Sequence, residues 1–261
     1  MHMRKTLSAL LGTLFLLTLC CCSPKQEYKL LENADISQNS LALFCFDGEQ
    51  TTIKYVFNRE EERIISEINK LNARQVDLDN IPDLKIPCFG LEIGDISLTY
   101  SNGYWLDKNG KVYKANYDFK NAYIKAESDE PIISSGGLLM PNSWYLGAKD
   151  VRFYQKSKYM KNVKAGLSIS FVSYEDNIAT VNLKNTAHID GTVGEYFTLQ
   201  KKIDGEWYTI PPKEPMVFHA VGYSLQEGQD IDMKCHLNAY GDLQKGQYRI
   251  EMEGIVCEFE I

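Results

Sequence analysis

YFTLQKKIDGEWYTI (residues 196–210) decides the architecture of the second half of this chain. Two alternating runs flank Asp204-Gly205, and both of those residues tolerate the positive φ that a two-residue hairpin turn demands. Working outward, the same period of two recurs. Leu167, Ile169 and Phe171 alternate with polar residues, as do Ala179, Val181 and Leu183 after a turn at Glu175-Asp176-Asn177. Downstream come VFHAVGYSL (217–225), a turn at Glu227-Gly228, DIDMKCHL (230–237), a turn at Tyr240-Gly241, QYRIEME (247–253) and IVCEFEI (255–261). Short alternating strands punctuated by turns predict an all-β sandwich over 166–261.

Upstream the pattern changes. LALFCF (41–46), a turn at Asp47-Gly48 and TTIKYVF (51–57) read as a hairpin. A helix is predicted from Asn58, whose side chain can cap it, with Glu61 three residues on and Glu60 to Glu62 in the favourable first turn. Ile64, Ile65, Ile68 and Leu71 form its apolar stripe, and it ends near Asn72. Strands resume in LEIGDISLTY (91–100), YWLD (104–107) and KVYKANYDF (111–119), separated by Ser101-Asn102-Gly103 and Asp107-Lys108-Asn109-Gly110. Residues 39–130 are therefore expected to be an α+β domain with one helix on an antiparallel sheet. Residues 131–165 read as a connecting region, partly packed because it holds Trp144, Tyr145, Phe153 and Tyr154.

LQKKIDGEWYTIPP, YSLQEGQ and YGDLQKGQYRIE together resemble a bacterial immunoglobulin-like domain over about 160–261. Leu199, Trp207, Leu225, Gly228, Leu243, Gly246, Tyr248, Arg249 and Ile250 carry the likeness; Lys245 stands where the family more often has proline. The resemblance implies a sandwich in which Leu243 closes one end and the Tyr248 hydroxyl bonds backbone upstream, a tyrosine corner. It also implies an extracytoplasmic lipoprotein of the kind frequent in Gram-positive bacteria. It implies nothing about chemistry, since such sandwiches space, support or bind.

The beginning of the chain agrees. Arg4 and Lys5 precede an apolar run from Ala9 to Leu19, too short for a membrane-spanning helix. Cys20, Cys21 and Cys22 follow. The stretch resembles a bacterial lipoprotein signal, with residues 1–21 removed and Cys22 lipidated, because that register puts Leu19 three residues before the acceptor. Residues 22–38 then form a polar tether. Losing Arg4 and Lys5 takes the formal charge from −7 to −9, which argues against a nucleic-acid partner. The predicted location is extracytoplasmic, lipid-anchored to the cell membrane.

Four further cysteines, Cys45, Cys88, Cys235 and Cys257, show neither CxxC spacing nor a histidine pattern, so no zinc site is predicted. Either they pair as Cys45–Cys88 and Cys235–Cys257, or they are free, buried, small side chains. His188, His219 and His236 lack a nucleophile elbow, and Cys235 and His236 point to opposite faces of one strand. Asp77, Asp79 and Asp83 with Asn80 miss the glycine and glutamate of a calcium loop. Ser134-Ser135-Gly136-Gly137 lacks the lysine and helix of a phosphate loop. Tyr100, Tyr104, Trp105, Tyr113, Tyr117 and Tyr123 concentrate in one hairpin region; Tyr104, Trp105 and Tyr113 are the candidate ligand platform, although sheets favour aromatics for packing alone. The expectation is a non-enzymatic surface protein, with no cofactor or metal, that binds or spaces. Its partner would be an envelope protein or carbohydrate. The competing readings are an accessory or inhibitor of an envelope enzyme, acting through 39–130, and a cryptic hydrolase.

Overall fold

The computed structural model describes residues 26–32, 34, 40–128, 130–158, 166–187 and 191–261. The chain is mostly β. Its first and largest sheet has eight antiparallel strands in the order β3-β8-β7-β6-β5-β1-β2-β9. These are β1 (Leu41–Phe46), β2 (Gln50–Val56), β3 (Arg74–Val76), β5 (Cys88–Ile93), β6 (Ile96–Ser101), β7 (Tyr104–Asp107), β8 (Val112–Lys114) and β9 (Ile132–Ser135); β4 (Leu84–Lys85) belongs elsewhere. Three helices are found among the described residues where one was predicted: α1 (Asn58–Asn69), α2 (Phe119–Lys125) and α3 (Asn142–Gly147). None of these is long and apolar enough to cross a membrane.

The sheet is buried on both faces, which its sequence explains. In β1, Leu41 and Leu43 enter one core with Ile64, Ile65 and Ile68 of α1 and Phe119 and Tyr123 of α2. Ala42, Phe44 and Phe46 enter a second core with Leu84, Met140 and Phe153, onto which Trp144 of α3 packs. A strand with apolar residues at consecutive positions serves two layers at once. The β1–β2 turn forms as predicted: the Asp47 Oδ1 accepts the N–H groups of Glu49 and Gln50, both at 2.8 Å, and Gly48 takes φ +107°.

Several local expectations change. Asn58 opens α1 at φ +58°, and no side-chain cap bond forms there. The strand expected over 111–119 stops at Lys114. Asp118 accepts the Asn121 N–H at 3.0 Å and caps α2, burying Phe119, Ala122 and Tyr123. The polar tether is partly packed: Leu30 and Leu31 are buried beside α1, and Tyr28 and Ala73 exchange backbone bonds at 2.8 and 3.2 Å.

The C-terminal part folds as an immunoglobulin-like pair of sheets. One has β11 (Leu167–Glu175), β12 (Ile178–Asn185) and β17 (Asp230–His236) in the order β11-β12-β17. The facing sheet contains β14 (Thr198–Ile203), β15 (Glu206–Thr209), β18 (Gln247–Met252) and β19 (Ile255–Glu260). A small ribbon pairs β13 (Gly191–Gly194) with β16 (Gly222–Leu225). One core joins the sheets through Val181, Leu183, Leu199, Met233, Ile250 and Phe259. The predicted turn has Asp204 at φ +51° and Gly205 at +83°. The Tyr248 hydroxyl donates to the Gln244 carbonyl at 2.5 Å, making the tyrosine corner.

The two halves share a sheet. β10 (Phe153–Lys156) pairs antiparallel with β15, and β4 lies parallel beside β10, so the second sheet runs β19-β18-β14-β15-β10-β4. Polar contacts reinforce the seam. Gln155 donates to the Gly48 carbonyl at 2.7 Å, Lys85 pairs with Asp204, and buried Lys201 reaches Asp83 at 3.1 Å. Removing Asp83 leaves that ammonium uncompensated. Asp83→Ala is predicted to cost about 3 kcal/mol in urea unfolding, and Asp83→Ala with Lys201→Met to recover most of it. Equal losses in the single and double variants would deny the pair this role.

Candidate functional site

A cavity of about 490 Å³ opens on the C-terminal sandwich, in the size range of ligand sites. One wall is β17. The segment 215–219, Phe197 and Met252 also line the cavity. The side chains are largely apolar, with three methionines, Met216, Met233 and Met252. Polar side chains also line it, among them Asp232, Lys234, His236 and Asn238, and three others, Glu195, His219 and Tyr223, are hydrogen-bonded together. Tyr223 donates its hydroxyl to Glu195 Oε1 at 2.7 Å, and the His219 ring Nδ1 and backbone N–H lie 3.2 and 3.3 Å from Glu195 Oε2. The tyrosine hydrogen bond, followed by the His219 contacts, holds the Glu195 carboxyl below the usual carboxylate range; the same bond raises the Tyr223 phenol.

This arrangement orients a carboxylate and does not activate a nucleophile. The phenol is spent on Glu195 rather than on the imidazole, and among the described residues no serine or threonine lines the cavity. Cys235 lines it, but burial pushes its thiol up to about 12, far from the thiolate form.

The residues singled out from sequence are placed as follows. Cys22 and His188 lie outside the described residues. Cys45, Cys88, Cys235 and Cys257 are free thiols, which corrects the disulfide alternative. For Cys45 and Cys88 the register gives the reason. Cys45 stands opposite Phe89 and Cys88 opposite Phe46, so the two thiols sit on opposite faces of one sheet. Cys235 and Cys257 share the sandwich core on facing sheets without bonding.

The aromatic platform is also corrected. Trp105 is 0% exposed, donates its indole N–H to the Ala115 carbonyl at 3.1 Å and packs against Tyr100 and Phe119. Tyr113 stands on the same face and meets Tyr28 edge-on, whereas Tyr104 packs into the opposite core. The three do not form one surface. Among the described residues no group of three or more His, Cys, Asp or Glu could hold a metal. Asp83 is engaged with Lys201, and Ser134 and Ser135 belong to β9. His236 is exposed on β17, and both it and His219 line the cavity. Sequence reasoning missed the Glu195–His219–Tyr223 group because its members come from three segments that only the fold brings together.

Two predictions follow from these groups. Burial raises Cys45 and Cys257 to about 11 and Cys235 to about 12. A raised folded-state value means stability is complete below the unfolded thiol value near 9 and falls as pH climbs through 9 to 12. The urea midpoint at pH 10.5 should therefore lie below that at pH 8, and the thiols should resist alkylation at pH 8 until the protein unfolds. Tyr223→Phe should return the Glu195 carboxyl toward its ordinary range in a carbon-13 NMR titration; an unchanged titration would contradict the assigned hydrogen bond.

No curated protein matches this chain, and no solved structure does. A family model does match: residues 161–257 align with a bacterial Ig-like domain. With two facing antiparallel sheets, a tyrosine corner at Tyr248 and this match, the C-terminal part of the chain is a bacterial Ig-like domain.

Proposed function

We propose that this protein is an extracytoplasmic lipoprotein, held at the cell membrane by lipid on Cys22, that binds an envelope component. On this reading residues 39–130 form an α+β domain with α1 on its sheet. The Ig-like domain presents the binding surface. The observation that carries the reading is the Ig-like domain over 161–257. It is joined to Arg4, Lys5, an apolar run and Cys20 to Cys22 at the other end of the same chain. The apolar cavity with its oriented carboxylate supports binding rather than spacing alone, because a spacer has no use for a groove of ligand size. The ladder between β15, β10 and β4 supports a stiff unit, so that a partner held at the groove is held at a fixed position relative to the first sheet.

The anchor is tested by mass spectrometry of the mature N-terminus after growth with labelled palmitate. The expected product begins at Cys22 and carries acyl chains, each buried CH₂ adding about 0.8 kcal/mol of membrane affinity. Cys22→Ala should release the chain from the membrane fraction. An unacylated product in the cytosol would overturn the reading.

A further inference from the structure

Two segments of strand character line the groove of the Ig-like domain, each with an edge that no ladder uses among the described residues. The first is β17. It is the last strand of its sheet; all the pairs from Asp230 to His236 go to β12, and its outer edge from Ile231 to His236 lines the groove. The second is the segment 215–219. Met216 and Phe218 pack onto the core while Val217 and His219 are exposed, the period of a strand. Yet among the described residues no ladder includes it. Sequence periodicity predicted a strand over 217–225, and only Gly222–Leu225 forms one, paired with β13. The strand pattern of 215–219 is thus unused among the described residues.

An open strand edge is a template for one more strand. On β17 apolar Ile231, Met233 and Cys235 alternate with Asp232, Lys234 and His236, so an added strand would meet an apolar face on one side and a charged, exposed face on the other. In strand addition the backbone bonds give affinity and alternate side chains give selectivity. The groove has what the second part requires. Met216, Met233 and Met252 offer thioether surfaces that adapt to different apolar side chains. Val217, Val221 and Tyr196 leave exposed apolar area close to it in sequence and fold. Glu195, also in the lining, is fixed by Tyr223 and His219 and keeps its side chain 26% exposed, so it meets a cation without first being released from the core.

We propose that this groove binds an extended polypeptide segment of a partner protein by strand addition to the outer edge of β17, with apolar side chains at alternate positions and a lysine or arginine against Glu195. This rests on the binding role proposed above and names its site and the class of its partner.

The test uses the full chain purified in detergent. The probe is a fluorescent nine-residue peptide alternating leucine or valine with threonine, with one terminal lysine. Binding is read by anisotropy and located by amide hydrogen exchange. The expected result is saturable binding with slowed exchange at Ile231–His236. A peptide with proline at alternate positions, which cannot donate to a ladder, should not bind. Replacing the probe's lysine with glutamate should weaken binding roughly tenfold, and Glu195→Gln should remove that preference. Met216→Lys should weaken all peptides roughly tenfold or more. Slowed exchange elsewhere, for instance at β9, would overturn the proposal, as would equal binding of the proline peptide or no binding at all. Protection of β17 that rises with protein concentration in the absence of peptide would assign the edge to a second copy and also overturn it. None of these outcomes touches acylation of Cys22, so failure of the groove and failure of the anchor are read separately.

Discussion

The ladder from β15 through β10 to β4 is the constraint on which the rest of the structure depends. An immunoglobulin-like sheet ending at β15 would expose a row of unpaired backbone groups, a standing invitation to aggregation. Here the preceding segment supplies β10, and a two-residue strand from within the first half, β4, closes the row. The ladder is then stitched by side chains from both halves: Lys201 to Asp83, Lys85 to Asp204 and Gln155 to Gly48. Phe153 of β10 also enters the second core of the first sheet, with Leu84 and Met140. A single strand therefore contributes backbone bonds to one half and apolar area to the other. Neither half can rotate against its neighbour without losing both.

This seam changes what the eight-stranded sheet requires. A sheet with one solvated face would alternate cleanly, but β1 and β5 are buried almost throughout, so both faces need cover. Helices α1 and α2 cover one face. On the other, α3 and the approach to β10 do, with Trp144 against Phe46 and Phe153 at 5.7 and 4.7 Å. Gly90 fits this packing. A Cβ there would come within 2.5 Å of the Pro141 ring, so the sheet and the α3 turn approach closely only because that side chain is missing. Two edge strands of the C-terminal sandwich are thus treated differently: β15 is covered, whereas β17 lines a groove.

Much of this was legible in the residues. The β1–β2 hairpin, the apolar stripe of α1, the Asp204-Gly205 turn and the tyrosine corner all rest on local rules, turn conformation and periodicity, that act over a few residues. Misses arose where a local signal was weak or was overridden. Asp118 before Phe119, Ala122 and Tyr123 was a readable helix start, but the alternation of KVYKANYDF masked it. Leu30 and Leu31 sit in a polar stretch, and only the core they share with α1 and the first sheet gives them a place to bury. For the cysteines both readings, paired within each half or free and buried, stood open, because sequence distance carries no information about which face of a sheet a thiol occupies.

The chain by itself determined two regions of different character, the strand periods, the main turns and a likeness to immunoglobulin-like domains. Those properties depend on residues close together in sequence. Only the tertiary structure decided that the two regions share a sheet, that Trp105 is core rather than platform and that Cys45 and Cys88 lie on opposite faces. It alone brought Glu195, His219 and Tyr223 to one cavity beside the outer edge of β17. Each of these depends on register and on contacts between residues tens of positions apart, which cooperative packing sets and no window of sequence contains.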